Sequence, residues 1–211
     1  AVNIETKKEA KFTLVIDEGN GDFLEMQGTA QLTGGIDPSG KTTLTGNYQI
    51  EKGAYQLSVN LLKRRFEIQK GSKITWLGEP TRADMDLTAI YVAKTAPITL
   101  IEEQATVSNM NIFKQKLPFN VNLILKGALL KPDISFDVRL PSEDSVQLNV
   151  SSEVTETVDT RLAQLRSQPS ELNKLVFALL LLNRFVAENP FASSGDGMSA
   201  ETVARQSVSS V

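Results

Sequence analysis

The chain of 211 residues contains neither cysteine nor histidine. The absence of cysteine excludes a disulfide framework and zinc–thiolate sites, and the absence of histidine removes the commonest general base and metal ligand. The sequence also lacks a nucleophile elbow, a glycine-rich dinucleotide loop and a calcium loop. An enzyme is therefore the least favoured class, and we predict no cofactor, no metal site and no catalytic residue.

Positive charge is not in excess either. The formal net charge is -3, which argues against nucleic acid as a partner because a face that grips phosphates must be basic. The one basic run, Lys63-Arg64-Arg65, falls where a turn is expected, and we interpret it as a solvated hairpin tip. We find no signal peptide and no apolar stretch of the roughly 20 residues that cross a bilayer. We therefore expect a fragment of a longer protein whose membrane anchor lies upstream.

What the sequence does have is a long series of segments in which apolar and polar side chains alternate. A period of two places the apolar set on one face of a strand and the polar set on the other. Short turn signals, such as residues 18–22, 37–40 and 51–53, pair neighbouring strands as antiparallel hairpins. We predict an all-β fold in which residues 1–150 form one large antiparallel sheet with a single apolar face. The residues expected to line that face include Leu44, Tyr48, Ile50, Tyr55, Leu57, Val59, Phe66, Ile68, Ile74, Trp76, Leu87, Ala89, Tyr91, Phe119, Val121, Leu123, Leu125, Ile134, Phe136 and Val138.

The alternation weakens over residues 94–113, which we predict to be a long loop holding one strand at 98–101. After Pro141 the pattern becomes helical, and residues 151–190 are predicted as a helical segment. A short helix is expected at 159–166, and a strongly apolar one over 170–187 with Ser170 as its N-cap. Because residues 175–182 include no polar side chain, this helix should be buried on most sides. It either packs at the open end of the sheet, plugs the groove or dips into a membrane. Residues 191–211 are expected to be a flexible tail or a weak helix.

Residues 35–42 match the Walker A pattern, with Gly35, Gly40, Lys41 and Thr42 in the required spacing. Phosphate binding by this motif needs a helix that begins at the Lys-Thr pair, so that its amides face the phosphate. The residues that follow are β-branched and alternate with period two, which is typical of a strand. We therefore interpret the segment as a hairpin turn and the motif as a decoy.

A second decoy is the acidic pair formed by Asp84 and Asp86. These two side chains share the polar face of a predicted strand, and no third ligand is spaced to join them. We interpret them as a solvated face rather than a metal site.

Spaced glycine, tyrosine and tryptophan positions resemble those of a known family, the C-terminal domain of TamB, the translocation and assembly module protein of the Gram-negative envelope. The resemblance covers roughly residues 25–190. The sequence departs from the family in carrying the apolar helix that starts at Ser170 and a polar tail, so a partner contact made by the family's extreme C-terminus is not transferred to this chain. The segments that carry it are 46–57 (GNYQIEKGAYQL), 66–80 (FEIQKGSKITWLGEP), 86–91 (DLTAIY) and 117–136 with Pro118, Gly127 and Pro132.

The resemblance implies a sheet curled like a taco, or open U-shaped barrel, with an apolar concave face, as in AsmA-like bridge-type lipid transfer proteins. It further implies a location in the periplasm of a Gram-negative cell, between an inner-membrane anchor and the outer membrane. Phospholipid and an Omp85-type outer-membrane barrel are the implied partners.

Three non-enzymatic functions remain open. The first is a groove that shelters phospholipid acyl chains during transport to the outer membrane. The second is a scaffold that helps outer-membrane β-barrels or autotransporters to assemble by pairing with an exposed strand edge. The third is a closed barrel or sandwich that binds a small apolar ligand.

Overall fold

The computed structural model describes residues 2–6, 10–59, 61–102, 109–142 and 147–186. The predicted tail at 191–211 and the end of the predicted helical segment at 187–190 lie outside these residues. The described elements are β1 (Val2–Glu5), β2 (Lys11–Asp17), β3 (Asp22–Ile36), β4 (Thr42–Val59), β5 (Leu62–Ile68), β6 (Lys73–Gly78), β7 (Ala83–Thr95), two 3-10 turns (Pro97–Ile101 and Met110–Lys114), β8 (Leu117–Ala128), β9 (Asp133–Arg139), α1 (Ser152–Arg166) and α2 (Pro169–Leu182).

All nine described strands belong to one sheet, and every pair in it is antiparallel. β1 and β2 both pair with β3, and β5 and β6 both lie between β4 and β7. At two places in the strand order, therefore, two short strands lie where a single long strand would fit. Over the described residues the sheet curls without closing into a barrel, with β1 and β2 at one edge and β9 at the other. The predicted all-β class, with a large curled antiparallel sheet and C-terminal helical structure, is confirmed.

The sequence suggested a break at residues 51–53, but β4 runs unbroken through them. Gln27 lies opposite Lys52 and Gly28 lies opposite Ile50, so Glu51 is the extra residue of a β-bulge. One extra residue shifts the face on which every later side chain lies. This is why the inward positions are even-numbered before the bulge, as at Ile50, and odd-numbered after it, as at Tyr55.

The bulge belongs to a line of interruptions that runs from the gap between β1 and β2 to the gap between β5 and β6, whereas β7, β8 and β9 are continuous. On one side of it, in the gap between β1 and β2, Thr6 Oγ1 donates to Gly28 O at 3.3 Å and accepts from Ala30 N at 2.9 Å. On the other side, in the gap between β5 and β6, Ile50 N donates to Ser72 O at 2.9 Å and Thr88 N donates to Ser72 Oγ at 3.2 Å. Thr6 and Ser72 thus bond backbone groups where a continuous strand would have supplied the partners.

Glycine allows β3 and β4 to approach closely near this line. A Cβ at Gly28 would stand 1.9 Å from Gln49 O, and one at Gly46, which has φ +124°, would stand 2.0 Å from Gln31 O. No side chain fits at such distances, so these positions require glycine. Close backbone approach of this kind accompanies strong curvature in sheets.

Several boundaries differ from the sequence-based predictions. Residues 98–101 form part of a 3-10 turn rather than a strand. The basic run begins strand β5 instead of forming a hairpin tip, because β5 already pairs with β4 from Leu62 onward. Helix α1 starts at Ser152, earlier than predicted.

Helix α2 also differs from the prediction at both ends. It begins at Pro169, with Gln168 rather than Ser170 at the N-cap, and it ends at Leu182. Asn183 terminates it in the left-handed conformation, with φ 53°. The helix is not buried on most sides, since Phe177 is 46 % and Leu182 53 % exposed.

Candidate functional site

The site is the concave face of the sheet, here called the inner face. Directly opposed residues in an antiparallel pair share a face, so the register traces rows of side chains across it. One row runs from Leu24 to Tyr55 and Phe66, whose ring lies 5.9 Å from that of Tyr91, and continues to Val121 and Val138. A second row links Ala30, Tyr48, Ile74 and Met85.

The sequence-predicted lining residues belong to these rows and their neighbours. Half-buried positions are Leu44, Leu57, Trp76, Tyr91 and Phe136, while Ile134 is 52 % exposed. The side chain of Val59 lies outside the described residues. The remaining thirteen are buried, namely Tyr48, Ile50, Tyr55, Phe66, Ile68, Ile74, Leu87, Ala89, Phe119, Val121, Leu123, Leu125 and Val138. The inner face is therefore largely covered by the protein itself.

The two helices supply much of that cover at one end of the sheet, called here the helical end, where β4 and β7 finish and β8 starts. Phe185, just after α2, packs edge-on against Phe119 with ring centroids 4.8 Å apart. Phe177 of α2 lies near Phe136 of β9, at 6.4 Å. Arg161 of α1 donates to Leu100 O at 3.3 Å, which holds α1 over the turn after β7.

The opposite end, where β3, β6 and β8 finish, is called the open end. Apolar residues on the inner face are exposed there: Val2 is 66 %, Ile4 41 % and Ile134 52 % exposed. Val2 lies opposite Gly34 and Ile4 opposite Leu32, which places both on the inner face. The apolar surface thus continues past the covered core and ends without a cover among the described residues.

Arg64 is a functional candidate that the sequence-based interpretation missed. It lies opposite Leu57 on the inner face and is half-buried. Its Nε donates to Leu180 O at 2.6 Å, and its guanidinium carbon lies 5.6 Å from the centre of the Tyr91 ring. The alternation did contain the signal, because Arg64 is two residues from Phe66 and four from Ile68 and therefore lies on the same face of the strand.

A charge cluster centred on the buried carboxylate of Asp137 fastens α1 to the edge of the sheet. Asp137 accepts hydrogen bonds from Arg139 and from Arg166, whose Nη2 also donates to Val138 O at 3.1 Å. Burial alone raises the pKa of Asp137, but the hydrogen bonds from Arg139 and Arg166 outweigh it and lower the pKa below its usual value. The charged form of Asp137 is therefore the form that stabilises this contact.

One polar group on the inner face lacks a partner. The hydroxyl of Tyr48 is buried and forms no hydrogen bond to any described residue. Burial raises the pKa of this hydroxyl, and the ring packs edge-on against Phe12 at 5.6 Å. An unpaired buried hydroxyl is a cost to the fold, since its hydration is lost without replacement.

The Walker-like segment adopts an exposed turn whose backbone amides are already bonded to Asp37. The carboxylate of Asp37 accepts from the backbone of Ser39 at 2.8 Å and of Lys41 at 3.0 Å. The Ser39 hydroxyl donates to the same carboxylate at 2.6 Å and has the largest effect in lowering the pKa of Asp37, and the backbone hydrogen bonds lower it further. The amides that would cradle a phosphate are thus directed at Asp37, and strand β4 rather than a helix follows.

The acidic pair is also accounted for. Asp84 and Asp86 are exposed on β7 while Met85 between them is buried. Among the described residues, no group of three or more acidic side chains is arranged to hold a metal ion. Within the same residues, neither α1 nor α2 meets the length and hydropathy needed to span a bilayer.

Comparison with known proteins gives one family. Neither the search of curated proteins nor the search of solved structures finds a match. The family model for the TamB C-terminal domain matches residues 1–211. It therefore includes the helical segment, which the resemblance described above had left as a departure.

Proteins of this family are non-enzymatic components of the cell envelope that serve the translocation and assembly module, and they work with an Omp85-type partner. The chain belongs to the TamB C-terminal domain family and to the machinery of outer-membrane biogenesis.

Proposed function

We propose that this domain shelters phospholipid acyl chains on its inner face during transport to the outer membrane. The observation that carries the proposal is the continuity of the apolar inner face from its covered core to exposed residues at the open end. An acyl chain lying on such a surface gains about 0.8 kcal/mol for each methylene removed from water. A uniform apolar wall also allows sliding, because no single contact fixes the chain in place.

Small residues alternate with large ones at the open end, which supports the same proposal. Gly46 lies between Leu32 and Trp76, and Leu44 lies between Gly34 and Gly78. Side chains of unequal size make the inner face uneven there, and a flexible acyl chain can follow such a surface. We place this activity in the periplasm, along a bridge between the inner and outer membranes, with an Omp85-type barrel as the receiving partner.

Site-specific photocrosslinking tests the proposal in cells. Leu44 and Ile134 are inner-face positions with accessible side chains, while Leu77, 82 % exposed, and Ser135 lie on the outer face. We expect a photoreactive residue at Leu44 or Ile134 to capture phospholipid, and the same residue at Leu77 or Ser135 to capture little. Leu77 controls for hydrophobicity because it is apolar and more exposed than either inner position. Equal capture from both faces, or none from Leu44 and Ile134, would refute the proposal.

The second candidate function is assembly of client β-barrels, and the asymmetry of the two sheet edges favours one edge for it. The β9 edge is occupied at Val138 by Arg166. The β2 edge exposes Phe12 at 41 % and Val15 at 52 %, and no described strand pairs with its free side. Exposed strand edges accept further strands. A client strand would therefore add to β2.

Crosslinking from strand edges distinguishes this function from the first. A photoreactive residue at Thr13 on β2 should capture an outer-membrane protein precursor, and one at Ser135 on β9 should not. Capture of lipid from Leu44 without any protein from Thr13 would favour transport alone.

A further inference from the structure

Arg64 is a cation on an apolar surface and has no matching anion among the residues that the structure describes. Leu62, Phe66 and Ile68 share its face of β5, and Leu57 lies opposite it. It forms no ion pair with any described carboxylate, and its guanidinium donates a hydrogen bond to Leu180 O. Asp22 on β3 is two strands away and accepts a hydrogen bond from Ser58 N at 2.8 Å. A half-buried guanidinium is costly unless an anion or equivalent acceptors satisfy it.

The carbonyl end of α2 is a weak substitute for such an anion. Helix C-termini carry a partial negative charge, and Leu180 O is one of the last carbonyls of α2. It engages only Nε, whereas a guanidinium offers five N–H donors arranged to grip phosphate or carboxylate with two parallel bonds. The Tyr91 ring at 5.6 Å supports the cation from one side.

The apolar side chains of α2 occupy the inner face beside this cation. Val176, Leu179 and Leu180 are fully buried, and Phe185 packs on Phe119. The helix therefore presents an apolar body next to a partly negative end. A phosphate-bearing amphiphile has the same arrangement, with an alkyl chain attached to an anionic head.

We propose that Arg64 binds the phosphate head of an amphiphile at the helical end of the inner face, and that α2 occupies this site when the amphiphile is absent. The inference rests on the proposed function, since it names the head-group site of the same surface. Binding replaces the bond from Nε to Leu180 O with bonds to phosphate oxygens, and the alkyl chain replaces the side chains of α2.

Titration with octyl phosphate, octyl glucoside and inorganic phosphate tests the site. The first two share one alkyl chain and differ in the head group, and each is used below its micellar concentration. We expect wild-type protein to bind octyl phosphate about tenfold more tightly than octyl glucoside, the value of one charge-assisted hydrogen bond. Arg64→Gln should abolish that preference. Lys63→Gln makes the same charge change at an exposed neighbour on the outer face and should preserve it.

Each alternative result has a clear meaning. Inorganic phosphate binding as tightly as octyl phosphate would overturn an amphiphile site in favour of free phosphate. If the Arg64 and Lys63 variants lost the preference for octyl phosphate equally, the effect would come from surface charge, and the proposed site would also be overturned. If octyl glucoside binds but the preference for phosphate survives Arg64→Gln, the head-group site fails while the proposed function stands. If neither amphiphile binds, the proposed function itself fails.

Two further measurements cover folding and the helix. Should Arg64→Gln fail to fold, Arg64→Lys keeps the charge but lacks the planar pair of donors, and its preference should fall several-fold; an undiminished preference would refute the role of the guanidinium. Hydrogen exchange in the last turn of α2 should speed up with octyl phosphate and not with inorganic phosphate. Unchanged exchange would refute the replacement of the helix.

Discussion

The guanidinium of Arg166 lies against the carboxylate of Asp137, with Nε 2.8 Å from Oδ1, and ties the last turn of α1 to the edge strand β9. Because the pKa of Asp137 is lowered in the folded protein, its contribution to stability is complete above the usual pKa of 3.8 and is lost as the pH falls through the lowered value. We expect Asp137→Asn to lower the free energy of unfolding by roughly 2 kcal/mol at pH 7. The difference from wild type should shrink in titrations below pH 3.8.

Urea unfolding at a series of pH values measures this effect. Asp133→Asn, an exposed change on the same strand, serves as the control and should have little effect. A deficit in the Asp137 variant that persists unchanged in acid would show that the charge is not the source of the stabilisation.

Gly28 and Gly34 lie on the same strand and face but differ in the space around them. Gly28→Ala should cost roughly 2–3 kcal/mol, because its Cβ would meet Gln49 O at 1.9 Å and force β3 away from β4. Gly34→Ala should be nearly neutral, since the nearest atom to its Cβ is 3.7 Å away. Thermal unfolding of the two variants compares them directly, and equal melting temperatures would contradict the close approach at Gly28.

Tyr48→Phe removes a buried hydroxyl that has no partner among the described residues. The ring keeps its contact with Phe12. We expect the variant to be more stable by about 1 kcal/mol, since the lost hydration of the hydroxyl is no longer a cost. Chemical denaturation gives the number; a less stable variant would mean that the hydroxyl is bonded in solution.

Phe185 and Phe177 test how α2 is held. Phe185→Ala should cost about 3 kcal/mol, because the ring is buried against Phe119. Phe177→Ala should cost about 1 kcal/mol, since that ring is 46 % exposed. Hydrogen exchange should show α2 loosened in the first variant with β3 and β4 unchanged, whereas an equal effect in both variants would place the anchor elsewhere.

We expect the Walker-like turn not to bind nucleotide. Calorimetric titration with Mg-ATP should give no heat of binding for wild type or for Lys41→Ala, because Asp37 already accepts the amides of the turn. Micromolar affinity that depends on Lys41 would restore the Walker motif.

The period of two was enough to predict the sheet, its inner face and most of its turns, since burial of one face acts on every strand alike. Position by position, Tyr55, Phe66 and Val121 all fall on the predicted face. A parity rule fails where one residue is inserted, and so Glu51 was mistaken for part of a break between strands. Nothing local distinguishes a bulge from a turn there, because the long-range pairing with β3 and β6 decides it.

Arg64 escaped prediction for a different reason. Its charge suggested a solvent-exposed side chain, whereas the alternation along β5 places it on the inner face. The acceptor that stabilises it there, Leu180 O, is 116 residues away in sequence. Helix α1 was only partly predicted because its anchor is also remote: the Arg166–Asp137 contact joins residues 29 positions apart. The third open function, a closed barrel, is not supported over the described residues, where the sheet remains open.

The interruptions at Thr6, Glu51 and Ser72 fall on one line that runs across the strands from β1 to β6. Bending along that line strains few backbone hydrogen bonds from β1 to β6, because the outer positions are divided there and β4 is bulged. The part of the sheet beyond it, formed by β1, β6 and the adjoining ends of β3 and β4, is therefore expected to widen or narrow while the part fastened by α1 and α2 keeps its shape. If the inner face shelters acyl chains as proposed, it would accept chains of different width at the open end without loosening the helical end.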